Sequence, residues 1–242
     1  MIHHNNASQA ITQSPAQQPP ATVNGVLKAP TAAADGVNKT ETSSSIQILT
    51  PTHALRPQVE SFIKDMFQQH HNAQVDTFLP TLLAAFNESG NPNSVLGFRN
   101  AQDQPLYLEQ YLNQSIETLI QSFSQNPVQR AQVVEIGNLA SKNSASCQAL
   151  FISIAQHLKN TNVNWITCTG TSVLRIVFRR LGIKAVAIHE ADQNRLGDKQ
   201  YSWGSYYDHE PQVMLINVKE THQHFSDCAL KTRHQAASKL DH

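Results

Sequence analysis

Apolar and polar positions along this chain keep two rhythms, one of alternation and one of helical spacing. "SIQILT" at 45–50 reads as a short strand. Val59, Phe62, Ile63, Met66 and Phe67 then recur at the spacing that gives a helix one apolar face. Pro57 suits the first turn of that helix, where its missing N–H is not needed. "PTLLAAFN" and "SVLGFRN" are two strands, and the turn-rich "ESGNPN" between them predicts a hairpin. Ile116, Leu119, Ile120 and Phe123 mark a second helix, with Ser115 placed to cap it. Residues 133–139 form the next strand, and Leu150, Phe151, Ile154 and Leu158 give the following helix its buried face. "NWITCTGT" is a strand. Val173, Leu174, Val177, Phe178 and Leu181 make a helix that Gly182 can close as a C-cap. "IKAVAI" is a further strand, 191–211 a long loop, and "PQVMLINV" the strand that closes the sheet. This order, with a hairpin before repeated strand–helix units, predicts a mixed sheet with helices on both faces. The residues after 218 are polar and read as a frayed extension with little helix.

Before residue 46 the rhythm is missing. Residues 1–45 are rich in Ala, Ser, Thr, Asn, Gln and Pro, a composition too poor in apolar surface to offset chain entropy, so a disordered low-complexity tail is expected. What remains has the size of one domain. Lys and Arg number 18, as do Asp and Glu, so the formal charge is zero and no nucleic-acid footprint appears. No apolar h-region follows Met1, and no apolar run approaches the roughly 18–20 residues of a membrane span. Cys147, Cys168 and Cys228 have no ligand spacing and read as reduced thiols of a cytoplasmic protein.

The joint "VVEIGNLASKNSASCQALFISIAQHL" (133–158) joins a strand to a helix through small residues. A helix start offers unpaired N–H groups and a partial positive charge to an anion. Lys142 adds a cation, and Asn143 or Ser144 can cap. No glycine follows Gly137 in this loop, which excludes a P-loop or a dinucleotide fingerprint. An ordinary capped turn is the plainer reading. Glu135 and Gly137 share one face of the strand. A mid-strand Gly suggests a bulge or the close approach of another chain. Glu135 is then either a base of raised pKa or half of a structural ion pair with Arg99 or Arg130.

"GFRNA", "LYLEQYL", "VEIGNLAS", "TSVLRIVFRRLGI", "ADQNRL" and "WGSYY", in this order, resemble the thermostable hemolysin family over about residues 46–218. The resemblance implies a GCN5-related N-acyltransferase-like fold, α/β with a mixed, splayed β-sheet, similar also to acyl-homoserine-lactone synthases. It implies that strand four, 133–139, parts from strand five, 164–169, and that a donor's pantetheine arm enters the wedge. Gly137, Asn138, Leu139, Ser141, Lys142 and Ser144 would then hold the thioester donor, acyl-ACP or acyl-CoA, with no permanently bound cofactor and no metal. Glu135 would serve as catalytic base. Backbone N–H groups near 137–139 would meet the oxyanion, and Arg99, Glu109, Trp203, Tyr206 and Tyr207 would line the site of a small amine. The chain departs from the acyltransferase pattern in two places. "SKNSAS" lacks the usual loop glycines, which favours a carrier-protein donor over coenzyme A. "TGTSVLR" lacks the tyrosine general acid, a role left to Tyr206, to Tyr207 or to water. The family's name denotes a lytic phenotype, so a membrane-active protein and a non-catalytic thioester-binding module are the competing readings.

Other constellations read as packing. Cys147 at a helix start has its only nearby His, His157, almost three turns along the same helix, and is expected in the core. "HEADQ" at 189–193 is not a zinc motif, since Gln193 takes the fifth position. Asp192 and Arg195 form an internal ion pair or bind an acceptor. A loop as long as 191–211 in a compact domain is usually functional.

Overall fold

The apolar face anticipated for the first helix is the one that turns inward: α1 (Arg56–His71) buries Val59, Phe62, Ile63, Met66 and Phe67, carries Pro57 in its first turn and ends at Asn72 in the left-handed conformation. This computed structural model describes residues 45–124 and 126–238. Apart from Ser45, the tail expected over 1–45 lies outside the described residues.

Strands β1 (Ser45–Leu49), β2 (Thr81–Phe86) and β3 (Pro92–Asn100) form an antiparallel meander, and the β2–β3 hairpin turns at the expected Gly and Asn residues. Strand β4 (Val133–Ser141) pairs antiparallel to β3, and β5 (Trp165–Gly170) parallel to β4. Strand β6 (Ala185–Glu190) and strand β7 (Gln212–Asn217) complete a seven-stranded mixed sheet in the order β1-β2-β3-β4-β5-β7-β6. The last strand is therefore not the edge. It lies antiparallel between β5 and β6. Val213, Met214, Leu215 and Ile216 are all buried, as an interior strand requires, whereas Val186 on β6 is half exposed.

Helices cover both faces, as expected. Helix α1, helix α2 (Ile116–Ser124) and the long 191–211 segment close one core; α3 (Ser144–Lys159), α4 (Ser172–Leu181) and α5 (Val218–Ser238) close the other. Three details differ from expectation. Phe123 is 52% exposed at the end of α2, and the Ser115 hydroxyl meets that of Thr118 at 2.9 Å. The C-terminal segment is not frayed: it forms α5, which packs on α3. Val218 and Thr221 are buried there, Phe225 packs against the α3–α4 core, and His224 Nε2 donates to the Leu181 carbonyl at 2.9 Å. Thr221 and His224 fill places where an amphipathic pattern would show aliphatics, which is why the sequence reads as polar.

Candidate active site

Strand β4 changes partners part-way along. Val133 to Ile136 pair with Trp165 to Cys168 of β5, and there the parallel pairing stops. Beyond that point β4 runs on to Ser141 beside β3 alone. In the same stretch Gly137 faces Gly97 and Ala140 faces Val95, so Asn138 and Leu139 together oppose Leu96. This is a β-bulge, which bends a strand and re-aims its groups. Asn138 takes a φ of 48°, a left-handed conformation that Asn tolerates better than most residues. Its side chain is held inside. Oδ1 accepts from the Leu79 N–H at 2.8 Å and Nδ2 donates to the Thr77 carbonyl at 3.2 Å. Gly97 makes room for this knot: a Cβ there would stand 2.9 Å from Leu79 Cβ and 3.0 Å from Asn138 Oδ1. Arg56, also buried, donates to the Leu79 and Pro80 carbonyls at 2.7 Å and fixes the same strap from the other side. Asn138→Ala leaves the buried Leu79 N–H unpaired, and chemical denaturation should show a loss of about 1–3 kcal/mol.

The two carboxylate candidates, Glu135 and Glu109, are both engaged internally, to different degrees. Glu135, 1% exposed, faces Arg99 across the β3–β4 ladder. Its Oε2 accepts from Arg99 Nε at 2.7 Å and from the Tyr107 N–H at 3.1 Å, and its Oε1 accepts from the Leu108 N–H at 3.0 Å. Arg99 Nη2 also lies 2.7 Å from Oε2 in the ion pair, and among the described residues it has no hydrogen-bond partner. A carboxylate has about four lone-pair positions, so Oε1 keeps one for another donor. Burial raises the Glu135 pKa above the usual carboxylate value, while Arg99 and the two amides pull against that rise. Glu109 differs. "YLEQY" is a 3-10 turn (Tyr107–Tyr111). Glu109 accepts from the Leu106 and Ile116 N–H groups and from both terminal nitrogens of Arg130, at 2.6–3.1 Å. All its lone-pair positions are taken, so it staples this corner and has none left for an acceptor. Arg130, the alternative partner considered for Glu135, belongs to Glu109 and Glu117.

The long segment brings its aromatics to the splayed end of the sheet. The Tyr206 hydroxyl donates to the carbonyl of Thr169, one residue past the last β4–β5 pair, at 3.4 Å. The Tyr207 and Tyr111 hydroxyls are 2.6 Å apart. Trp203 is buried against Phe67, Tyr206 and Tyr207, and among the described residues its indole N–H has no partner. Asp192 and Arg195 do not pair. Asp192 Oδ1 accepts from Asn194, while Arg195 donates to the Tyr111 and Leu112 carbonyls at 2.7 and 3.1 Å. Tyr207 borders a cavity of about 540 Å³ that Glu190, Asp192, Asp208 and Glu210 also line. Among the described residues none of these four carboxylates forms an ion pair. The cavity sits at the β6–β7 end of the sheet, where Gln212 pairs with both Gly170 and Glu190. Tyr111 was the missed contributor. It stands in the quoted motif, but its meeting with Tyr207 depends on a contact 96 residues distant.

At the start of α3, Asn143 is the N-cap and accepts from the Ser146 N–H at 2.9 Å. Ser141 donates to the Asn143 carbonyl at 2.7 Å, Ser144 is exposed, and Lys142 Nζ lies 5.4 Å from the Phe62 ring centre. Burial pushes the thiols of Cys147 and Cys168 up to about 12, which overrides the lowering expected at a helix start. A thiol reagent applied to the native protein at neutral pH should therefore label exposed Cys228 alone, read by mass spectrometry. Among the described residues no three metal-ligating side chains gather.

A family model described as thermostable hemolysin matches residues 49–222. The chain belongs to that family. No curated protein sequence matches this thermostable hemolysin family member at a significant level. Solved structures do. FeeM, an N-acyl amino acid synthase from uncultured soil microbes, aligns with a TM-score of 0.52 at 13% identity, over 76% of this chain and 95% of that one. The acyl-homoserine-lactone (AHL) synthase LasI aligns with a TM-score of 0.52 at 8% identity, over 73% and 91%. BjaI, a CoA-dependent acyl-homoserine lactone synthase solved with SAM and isopentyl-CoA, aligns with a TM-score of 0.50 at 9% identity, over 76% and 89%. At these identities the likeness establishes a shared fold, and the expected acyltransferase-like mixed sheet is the one observed.

Proposed function

We propose that this thermostable hemolysin family member is an N-acyltransferase, its working unit spanning residues 46–218, that moves a fatty acyl group from acyl-ACP or acyl-CoA to a small amine. The observation that carries this reading is the opening between β4 and β5 beyond Ile136, lined by a bulged strand. An extended pantetheine arm fits such an opening because the freed edge of β4 offers it backbone partners. The acyl-transferring neighbours support the same reading. Gly137, Asn138 and Leu139 form the lip, Asn138 through its backbone, since its side chain is occupied. Ser141, Lys142 and Ser144 lie at the outer mouth. The glycine-poor loop there suits a thioester carried by a protein better than a free diphosphate.

The amine attacks the thioester carbonyl, a C–N bond forms, and the C–S bond breaks. Glu135 Oε1 takes the proton that the nitrogen loses. Backbone N–H groups of the bulge stabilise the oxyanion, and the leaving thiolate takes a proton from Tyr206 or from water. Arg99 keeps one buried guanidinium nitrogen for a polar group of the acceptor. The acid-lined cavity beside Tyr207 favours an acceptor that arrives as an ammonium ion and gives up its first proton to water before the free amine attacks. Trp203 fixes the segment that carries Tyr206 and Tyr207.

Purified protein, offered acyl-ACP or acyl-CoA with a panel of amines, should yield an N-acyl product by mass spectrometry. Absence of any such product with either donor overturns the reading. Gly137→Val should melt cooperatively yet fail to bind acyl thioester, because the branched side chain fills the mouth of the opening; wild-type affinity would place the donor elsewhere. The family's lytic name leads to a direct comparison. Among the described residues no helix is long and apolar enough to cross a membrane. Lysis by an organic extract of expressing cells, with none by pure protein, is the expected outcome; the reverse favours direct membrane action.

A further inference from the structure

The segment that carries Tyr206 and Tyr207 is docked on the end of α1, and the docking centres on one histidine. The Ser205 N–H donates to the His71 carbonyl at 2.8 Å, and the Gln74 N–H donates to the Ser202 carbonyl at 2.7 Å. The His71 ring itself is only 5% exposed, and among the described residues neither ring nitrogen has a hydrogen-bond partner. Its neighbours are rings. Tyr206 lies 5.4 Å away edge-on, His209 5.5 Å away, and Phe67 6.1 Å away. Titratable groups face it from the docked segment, Tyr206 and His209, and from its own helix, His70. None of them is a carboxylate and two are basic.

We propose that His71 is a pH-sensitive latch: neutral, it holds segment 202–209 against α1, and protonated, it releases the segment and so dismantles the acceptor side of the site. A neutral imidazole without partners is tolerated in an aromatic nest, whereas an imidazolium there is a buried charge with no counter-ion. Release solvates the ring. It also removes Tyr206 from the Thr169 carbonyl and Tyr207 from Tyr111, and it opens the cavity that Tyr207 borders.

The direction follows from the shift. Burial, with His209 and His70 adding like charge, lowers the His71 pKa from 6.5 to about 4. The docked form therefore binds fewer protons than the released form between those values. Docking is fully present above pH 6.5 and weakens as pH falls towards 4, by about 30-fold at pH 5 on simple linkage.

Hydrogen exchange of the full chain tests this. After correction for the intrinsic rate, the Ser205 and Gln74 amides should open about 30-fold more at pH 5 than at pH 7.5, while β4 and β5 stay protected. His71→Phe keeps the ring packing and should lose this dependence. Protection that is flat with pH in the wild-type chain, or unchanged acid opening in His71→Phe, overturns the latch. Should His71→Phe fail to fold, an NMR titration of the wild-type ring decides: a midpoint below 5 supports the latch, and one near 6.5 overturns it.

Discussion

Glu135→Gln is expected to damage the protein twice, and the two effects separate cleanly. An amide leaves the buried Arg99 guanidinium without its counter-charge, and removal of one partner from such a pair costs about 3–5 kcal/mol. That loss should appear as an earlier denaturation midpoint. Turnover per folded molecule should fall by about 10²–10⁴ as well, the usual worth of a positioned base, because the amide cannot take the proton of the attacking amine at Oε1. The deficit should shrink at high pH, where free amine is abundant. A second substitution tells structure from chemistry. Arg99→Met in the same chain removes the stranded cation, and replacing both members of a buried pair by residues of similar volume is often near neutral. Stability should largely return in Glu135→Gln/Arg99→Met while the pH-dependent rate deficit stays. If rate returns together with stability, Glu135 is an architectural half of the pair and the base lies elsewhere.

The sequence already held both readings of Glu135, because an acid among apolar strand neighbours needs either a counter-charge or a task, and Arg99 of "GFRNA" was one of the two cations considered; the register that sets Arg99 opposite Glu135 is seen only in the structure. The helical faces of α1, α3 and α4 were legible because spacing records which side of a helix meets the sheet. The position of β7 was not, since a strand's own pattern says how deeply it is buried and not which strands flank it. Glu109 was misplaced because its partner, Arg130, is 21 residues away, and charge pairs of that kind leave no periodic trace. The bulge was hinted at by Gly137, but the residue that takes the positive φ is Asn138, whose side chain is tied to a strap that carries no motif. The splay itself was anticipated only through the family resemblance, because the end of a ladder is a property of two strands.

Gly204→Ala should release segment 202–209 from α1 without unfolding the sheet. Gly204 has φ 50° and ψ −127°, a combination essentially reserved for glycine. A Cβ there would also meet the His71 carbonyl oxygen at 2.0 Å and the Asn72 carbonyl oxygen at 2.7 Å. Those atoms are backbone at the capped end of α1, so no side-chain rotation relieves the clash. Gly197 is a natural control. It has φ 57° and ψ −137°, nearly the same conformation, yet nothing stands within 4 Å of its would-be Cβ. Gly197→Ala therefore reports the backbone strain alone, about 1–3 kcal/mol. Gly204→Ala adds the collision, which the chain can escape only by undocking 202–206 from α1. The two variants should differ in hydrogen exchange at Ser205 and Gln74, which bond to His71 and Ser202 across that contact. Both should keep cooperative melting, because the core between the sheet and the α3–α4–α5 layer holds none of the segment's side chains. Acyl transfer to an amine should be nearly abolished in Gly204→Ala and only reduced in Gly197→Ala. Thioester binding should persist in both, since the opening between β4 and β5 is formed by strands that neither substitution touches. Equal exchange and equal turnover in the two variants would mean that the segment does not need its contact with α1 to complete the site.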